Sequence, residues 1–154
     1  VALRPQAPVS TPLPAVTAEL DQVQMTFVPE TVIAEVGVPV SFRSSDSELH
    51  NLNVRNSDTH AEEFNRSIFP GLSFQHTFEK TGFYDVHCDI HPAMSATIFI
   101  GDTPFAAVVS QDGTYTIENV PPGSFTLTVY NGSQTHERQL LVVAGLNELP
   151  LFAD

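Results

Sequence analysis

The sequence predicts an all-β protein, a β-sandwich followed by a small antiparallel β unit. Three observations lead there. Apolar and polar residues alternate with a period of two along most of the chain, as strands require when one face is buried. Gly, Pro, Asn and Asp interrupt those runs at close intervals, which marks turns. No stretch carries the apolar spacing of a helix of several turns.

Residues 1–20 read as a Pro-rich arm or linker, because Pro5, Pro8, Pro12 and Pro14 deny backbone donors and favour extended chain. Residues 21–101 read as the main domain. Val23, Met25 and Phe27 alternate, Thr31–Val36 forms a second run, and Val38, Val40 and Phe42 a third, with Gly37 as punctuation. Leu49–Arg55 reads as a short strand, and residues 56–70 as polar and irregular up to the Phe69-Pro70-Gly71 turn signal. Phe74, His76 and Phe78 alternate. After Thr81-Gly82, Tyr84, Val86 and Cys88 share one face of a strand opposite Phe83, Asp85 and His87. Ala96–Ile100 closes the domain. In residues 102–154, Asp112-Gly113 and Asn131-Gly132 read as turns, with strands at Tyr115–Ile117, Phe125–Val129 and Leu140–Val143. So few strands bury an apolar face only with help from the first domain, the arm or another subunit.

Of the 154 residues, 18 are acidic and 6 basic, a net charge of -12. Such a chain repels nucleic acid and anionic membrane surfaces and suits a partner with a basic face. One cysteine excludes an internal disulfide framework. No apolar run reaches the length of a membrane span. The start at Val1 carries the expectation of an extracytoplasmic protein after signal removal. Asn65-Arg66-Ser67 and Asn131-Gly132-Ser133 match the glycosylation acceptor pattern, a common chance match.

The chemistry concentrates in Cys88-Asp89-Ile90-His91-Pro92-Ala93-Met94. A thiolate, an imidazole and a thioether stand three residues apart. A copper ion that cycles between Cu(I) and Cu(II) suits two His and one Cys in a plane with a weak axial Met. The second His must come from elsewhere, and His50, in Asp46-Ser47-Glu48-Leu49-His50-Asn51, is the candidate. Pro92 keeps His91 out of helix and stiffens the loop. Asn51 is placed to hydrogen-bond across to the Cys88 region. A His87–His91 zinc pair would need a helix, which the flanking strand and Pro92 oppose. His60, His76 and His136 read as surface or packing residues.

Phe27-x-Pro29, Ile33-x-x-Val36-Gly37-x-x-Val40-x-Phe42, Asp46-x-x-x-His50-Asn51 and Gly82-x-Tyr84-x-x-x-Cys88-x-x-His91-x-x-Met94 together resemble a cupredoxin, a blue copper protein of the plastocyanin and amicyanin type. The resemblance covers residues 21–101 and implies a Greek-key sandwich holding one copper ion through His50, Cys88, His91 and Met94. The spacing of His91 and Met94 resembles the short amicyanin loop. Residues 102–154, with Asp112-Gly113-x-Tyr115-x-Ile117-x-x-Val120-Pro121-Pro122-Gly123-x-Phe125-x-Leu127, resemble a carboxypeptidase-regulatory-like, transthyretin-like β unit, as in methylamine-utilization-type cupredoxins. The implied function is single-electron transfer to a redox partner such as a cytochrome or copper enzyme, through an apolar port around Ile90, Pro92 and Ala93. The alternatives are copper capture or delivery without electron transfer, and a structural or assembly module. An enzyme is not expected, since no second cluster of histidines offers a catalytic copper.

Overall fold

The computed structural model describes residues 1–9, 17–132 and 134–151. The chain divides into two compact units, one of Ala15–Asp102 and one of Val1–Pro14 with Thr103–Asp154. Pro12, Pro14 and Ser133, which the sequence reading used, lie outside the described residues.

The larger unit is a two-sheet sandwich. Strands β2 (Glu19–Val23), β3 (Thr26–Val28), β5 (Pro39–Ser44) and β8 (Ser73–Thr77) make one sheet in the order β3-β2-β5-β8. Strands β4 (Thr31–Glu35), β6 (His50–Asn56), β7 (Glu62–Ile68), β9 (Gly82–His87) and β10 (Ser95–Gly101) make the other in the order β4-β10-β9-β6-β7. The inward residues of both sheets form one core: Leu20, Phe27, Val40 and Phe42 from the first meet Val32, Leu52, Val54, Tyr84, Val86, Ile98 and Ile100 from the second. Phe42 is fully buried, with the rings of Phe64 and Phe74 5.4 and 5.3 Å from its own. The Tyr84 hydroxyl donates to the Lys80 carbonyl at 3.0 Å, which pins the start of β9.

The sandwich is not purely antiparallel, since β4 runs parallel to β10 and β2 parallel to β5. Two elements differ from the expected ones. Val23, Met25 and Phe27 do not share a strand. Gln24 and Met25 take left-handed φ values of 50° and 57° and turn β2 into β3. Met25 therefore faces out, and the inward positions are Leu20, Gln22 and Phe27. Within the irregular stretch, Glu62–Ile68 forms β7. It is an edge strand, fully burying only Ile68, so it lacks the apolar alternation that reveals a strand.

The second unit is an antiparallel sheet of β1 (Ala2–Pro5), β11 (Gly123–Asn131) and β12 (Gln134–Val142), with β11 central. Its core is Leu3, Phe105, Phe125, Leu127, Val129 and Val142. Part of the expected arm is thus a strand: Leu3 is buried and its N–H donates to the Phe105 carbonyl at 2.7 Å. Pro5 is tolerated there because β1 lies at a sheet edge, where a missing N–H costs little. The arm's other end also departs from the expected boundary, since Glu19 and Leu20 open β2 of the sandwich. Tyr115–Ile117 is not a strand. The stretch follows an Asp112 turn, and Tyr115 is tied instead by its hydroxyl to the Leu149 carbonyl at 2.9 Å.

Candidate metal centre

Strand β9 delivers the thiol. Tyr84, Val86 and Cys88 point inward in alternation and all are buried. His87 lies between them and is exposed, so it is turned away from the thiol. Beyond Cys88 the chain makes a closed loop. The Met94 N–H donates to the His91 carbonyl at 2.9 Å, with Pro92 as the first corner of that turn. The Cys88 N–H donates to the Met94 carbonyl at 3.3 Å and fastens the base. Met94 is buried, His91 is half-buried, and Ile90, Pro92 and Ala93 are exposed.

His50 opens β6 and is fully buried. Its Nε2 lies 3.0 Å from Asp46 Oδ2. Donation from Nε2–H to that carboxylate leaves the Nδ1 lone pair free to face the thiol. The same Asp46 oxygen accepts the Met25 N–H at 2.7 Å, so one carboxylate ties the β2–β3 turn to the imidazole. The bond from Met25, then that from His50, holds the Asp46 carboxyl down at about 2.

His50 Nδ1, His91 Nδ1 and Cys88 Sγ converge, with all three atoms within 4.8 Å of one another. The sulfur stands 4.0 Å from His50 Nδ1 and 3.8 Å from His91 Nδ1. An ion bonded to nitrogen at about 2.0 Å and to sulfur at about 2.3 Å, in a trigonal plane, spaces those atoms roughly 3.8 Å apart. The two nitrogens are 2.9 Å apart. That is about 0.6 Å closer than such a plane sets. Two borderline nitrogens and a soft sulfur in a buried site fit a copper ion.

Sequence reasoning missed most of a polar cluster on the outer face of the same sheet. The Asn51 Oδ1 accepts the Asp89 N–H at 2.6 Å, and its Nδ2 donates to Asp89 Oδ2 at 2.8 Å. Asn53 Nδ2 donates to Asp89 Oδ1 at 3.0 Å and Asn65 Nδ2 to Asp89 Oδ2 at 3.1 Å. These donors, Asn53 foremost, hold the Asp89 carboxyl below the usual carboxylate range. The available signal was Asn51 and Asn53 at alternate positions of one strand, with a carboxylate beside the cysteine. Elsewhere, His76 pairs with Glu63 at 2.8 Å, apart from this centre.

The sequence pattern of the copper binding proteins of the plastocyanin/azurin family matches residues 14–101, more than half of the chain. The chain belongs to that family. It is a cupredoxin, and the cofactor of the family is copper. Solved structures share the fold at low identity. Amicyanin from Paracoccus versutus superposes with a TM-score of 0.50 at 19% identity, covering 58% of this chain and 85% of that one. The copper-containing nitrite reductase of Thermus scotoductus superposes with a TM-score of 0.52 at 23% identity, covering 65% of this chain and 26% of the reductase. No curated protein sequence matches. The cupredoxin fold here is the Ala15–Asp102 sandwich, and its converging donors stand at one end of β6 and β9. Among the described residues, no helix is long and apolar enough to cross a membrane.

Proposed function

We propose that this cupredoxin is a single-electron carrier rather than an enzyme, and that His50, Cys88, His91 and Met94 would hold its one copper ion. The observation that carries the reading is the convergence of one buried thiol and two imidazole nitrogens within 4.8 Å on a two-sheet frame. Bound copper supplies a one-electron Cu(I)/Cu(II) couple. The chain supplies stiffness. His50 is fixed by Asp46, Cys88 by its strand, and His91 by a loop closed at its base. Ligands that move little between oxidation states keep the cost of electron exchange low. Half-buried His91, with exposed Ile90, Pro92 and Ala93 around it, is the electron port.

The partner is a redox protein with a basic docking face, such as a cytochrome or copper enzyme, in keeping with the net charge of -12. The setting is periplasmic or otherwise extracytoplasmic, where ligation and burial protect a lone thiol. Residues 102–154, with β1 added to their sheet, are read as a carboxypeptidase-regulatory-like β unit.

Adding Cu(II) to the metal-free protein and recording visible and EPR spectra tests the ligand set. An intense thiolate-to-copper band in the parent, absent from Cys88→Ala, is the expected result. A weak spectrum indifferent to Cys88 would overturn it. Reversible voltammetry then supports the carrier, whereas ready copper exchange without reversible cycling would mean copper delivery. Electron exchange with a cationic partner should slow as salt is raised.

A further inference from the structure

We propose that Asp89 is a positioning residue of the copper centre: a fixed negative charge, clamped by Asn51, Asn53 and Asn65 beside the thiolate ligand, that biases the centre toward Cu(II) and holds the first turn of the ligand loop. The inference rests on the ligand reading above.

The geometry is specific. Asp89 is the next residue after Cys88, so its backbone lies about 3.8 Å along the chain from the thiolate residue. Its two carboxylate oxygens take side-chain N–H donors from Asn51, Asn53 and Asn65 at 2.8 to 3.3 Å. Its own N–H is taken by Asn51 Oδ1 at 2.6 Å. The asparagines support one another: Asn51 Nδ2 also donates to Asn65 Oδ1 at 2.9 Å, and Arg55 Nε donates to Asn53 Oδ1 at 3.1 Å. An exposed aspartate ordinarily swings into water. This one is locked to β6 and β7, which register Asn53 directly opposite Asn65. Neutral carboxamides satisfy the carboxylate without cancelling its charge; the nearby cation acting on it is Arg55, which is itself paired with Glu62 at 2.9 Å. A negative charge near the metal favours the more positive oxidation state, and so lowers the reduction potential.

Two variants of the full chain separate charge from clamp. Asp89→Asn keeps the size and removes the charge, and because it also turns one acceptor oxygen into an N–H donor facing the carboxamides, the salt dependence of its effect is what reports the charge. The change Asn51→Ala keeps the charge and removes both the acceptor of the Asp89 N–H and one carboxamide donor to the carboxylate. In the copper-loaded protein at a fixed applied potential, Asp89→Asn should raise the Cu(I):Cu(II) ratio roughly 3- to 10-fold, with the thiolate band retained and the difference shrinking as salt rises. In the metal-free protein, Asn51→Ala should speed amide hydrogen exchange at Asp89 roughly 10-fold. An unchanged ratio, or a change indifferent to salt, would refute the charge role. Unchanged exchange would refute the clamp. A parent that lacks the thiolate band would instead defeat the ligand reading, and the exchange experiment still decides the clamp.

Discussion

At the scale of single residues, the centre depends on side chains that choose a direction for another side chain. His50 has two ring nitrogens, and nothing in the imidazole itself selects the one that faces Cys88. Asp46 selects it by taking Nε2–H at 3.0 Å. Replacing Asp46 with Ala removes that partner and frees the Met25 N–H, while the ligand set stays whole. Copper affinity should then fall roughly 10- to 100-fold, the usual cost of losing a group that orients a ligand. Competition titration against a chelator of known affinity measures it. An unchanged affinity would mean that burial alone orients His50.

Strands and loops decide how rigid that arrangement is. The ligand loop is short, closed by the Cys88–Met94 backbone bond and cornered by Pro92. It emerges from β9, which is held between β10 and β6 and is not an edge strand. Phe42, on β5 of the facing sheet, fills the space between the two sheets with Phe64 and Phe74. Phe42→Ala should cost about 3–5 kcal/mol in unfolding free energy, through lost burial and the cavity left behind. Urea denaturation of the metal-free protein measures this. A loss below about 1 kcal/mol would show that the sandwich collapses onto the gap.

For the molecule as a whole, charge sets the response to acid. Protonation as pH falls relieves the self-repulsion of a chain carrying -12, which favours the compact state. Particular carboxyls act in the opposite sense. The Thr114 hydroxyl, then the Thr114 N–H, hold the Asp112 carboxyl below its ordinary value. A folded-state pKa below the unfolded one contributes stability that is full above the unfolded value and lost as pH falls through the folded one. Between about pH 5 and about pH 2 the parent should therefore lose more stability than Asp112→Asn. Denaturation across that range measures the difference. Parallel curves would show that the turn does not depend on the charge.

What the sequence by itself determined is the content that depends on near neighbours. Strand alternation at Tyr84, Val86 and Cys88 and the offsets among Cys88, His91 and Met94 lie within eleven consecutive residues, where spacing alone restricts geometry. The all-β class and the copper chemistry were legible for that reason. Tertiary structure decided what depends on pairing at long range. Strand β1 exists because Leu3 sits opposite Leu127, which no local pattern among prolines reveals. Edge strand β7 buries too little to show a period, yet its register brings Asn65 to Asn53 and so builds the clamp around Asp89. His50 meets Cys88 only because β6 and β9 are neighbours in one sheet. Side-chain type and spacing are written along the chain, whereas register is settled by the free energy of the whole core.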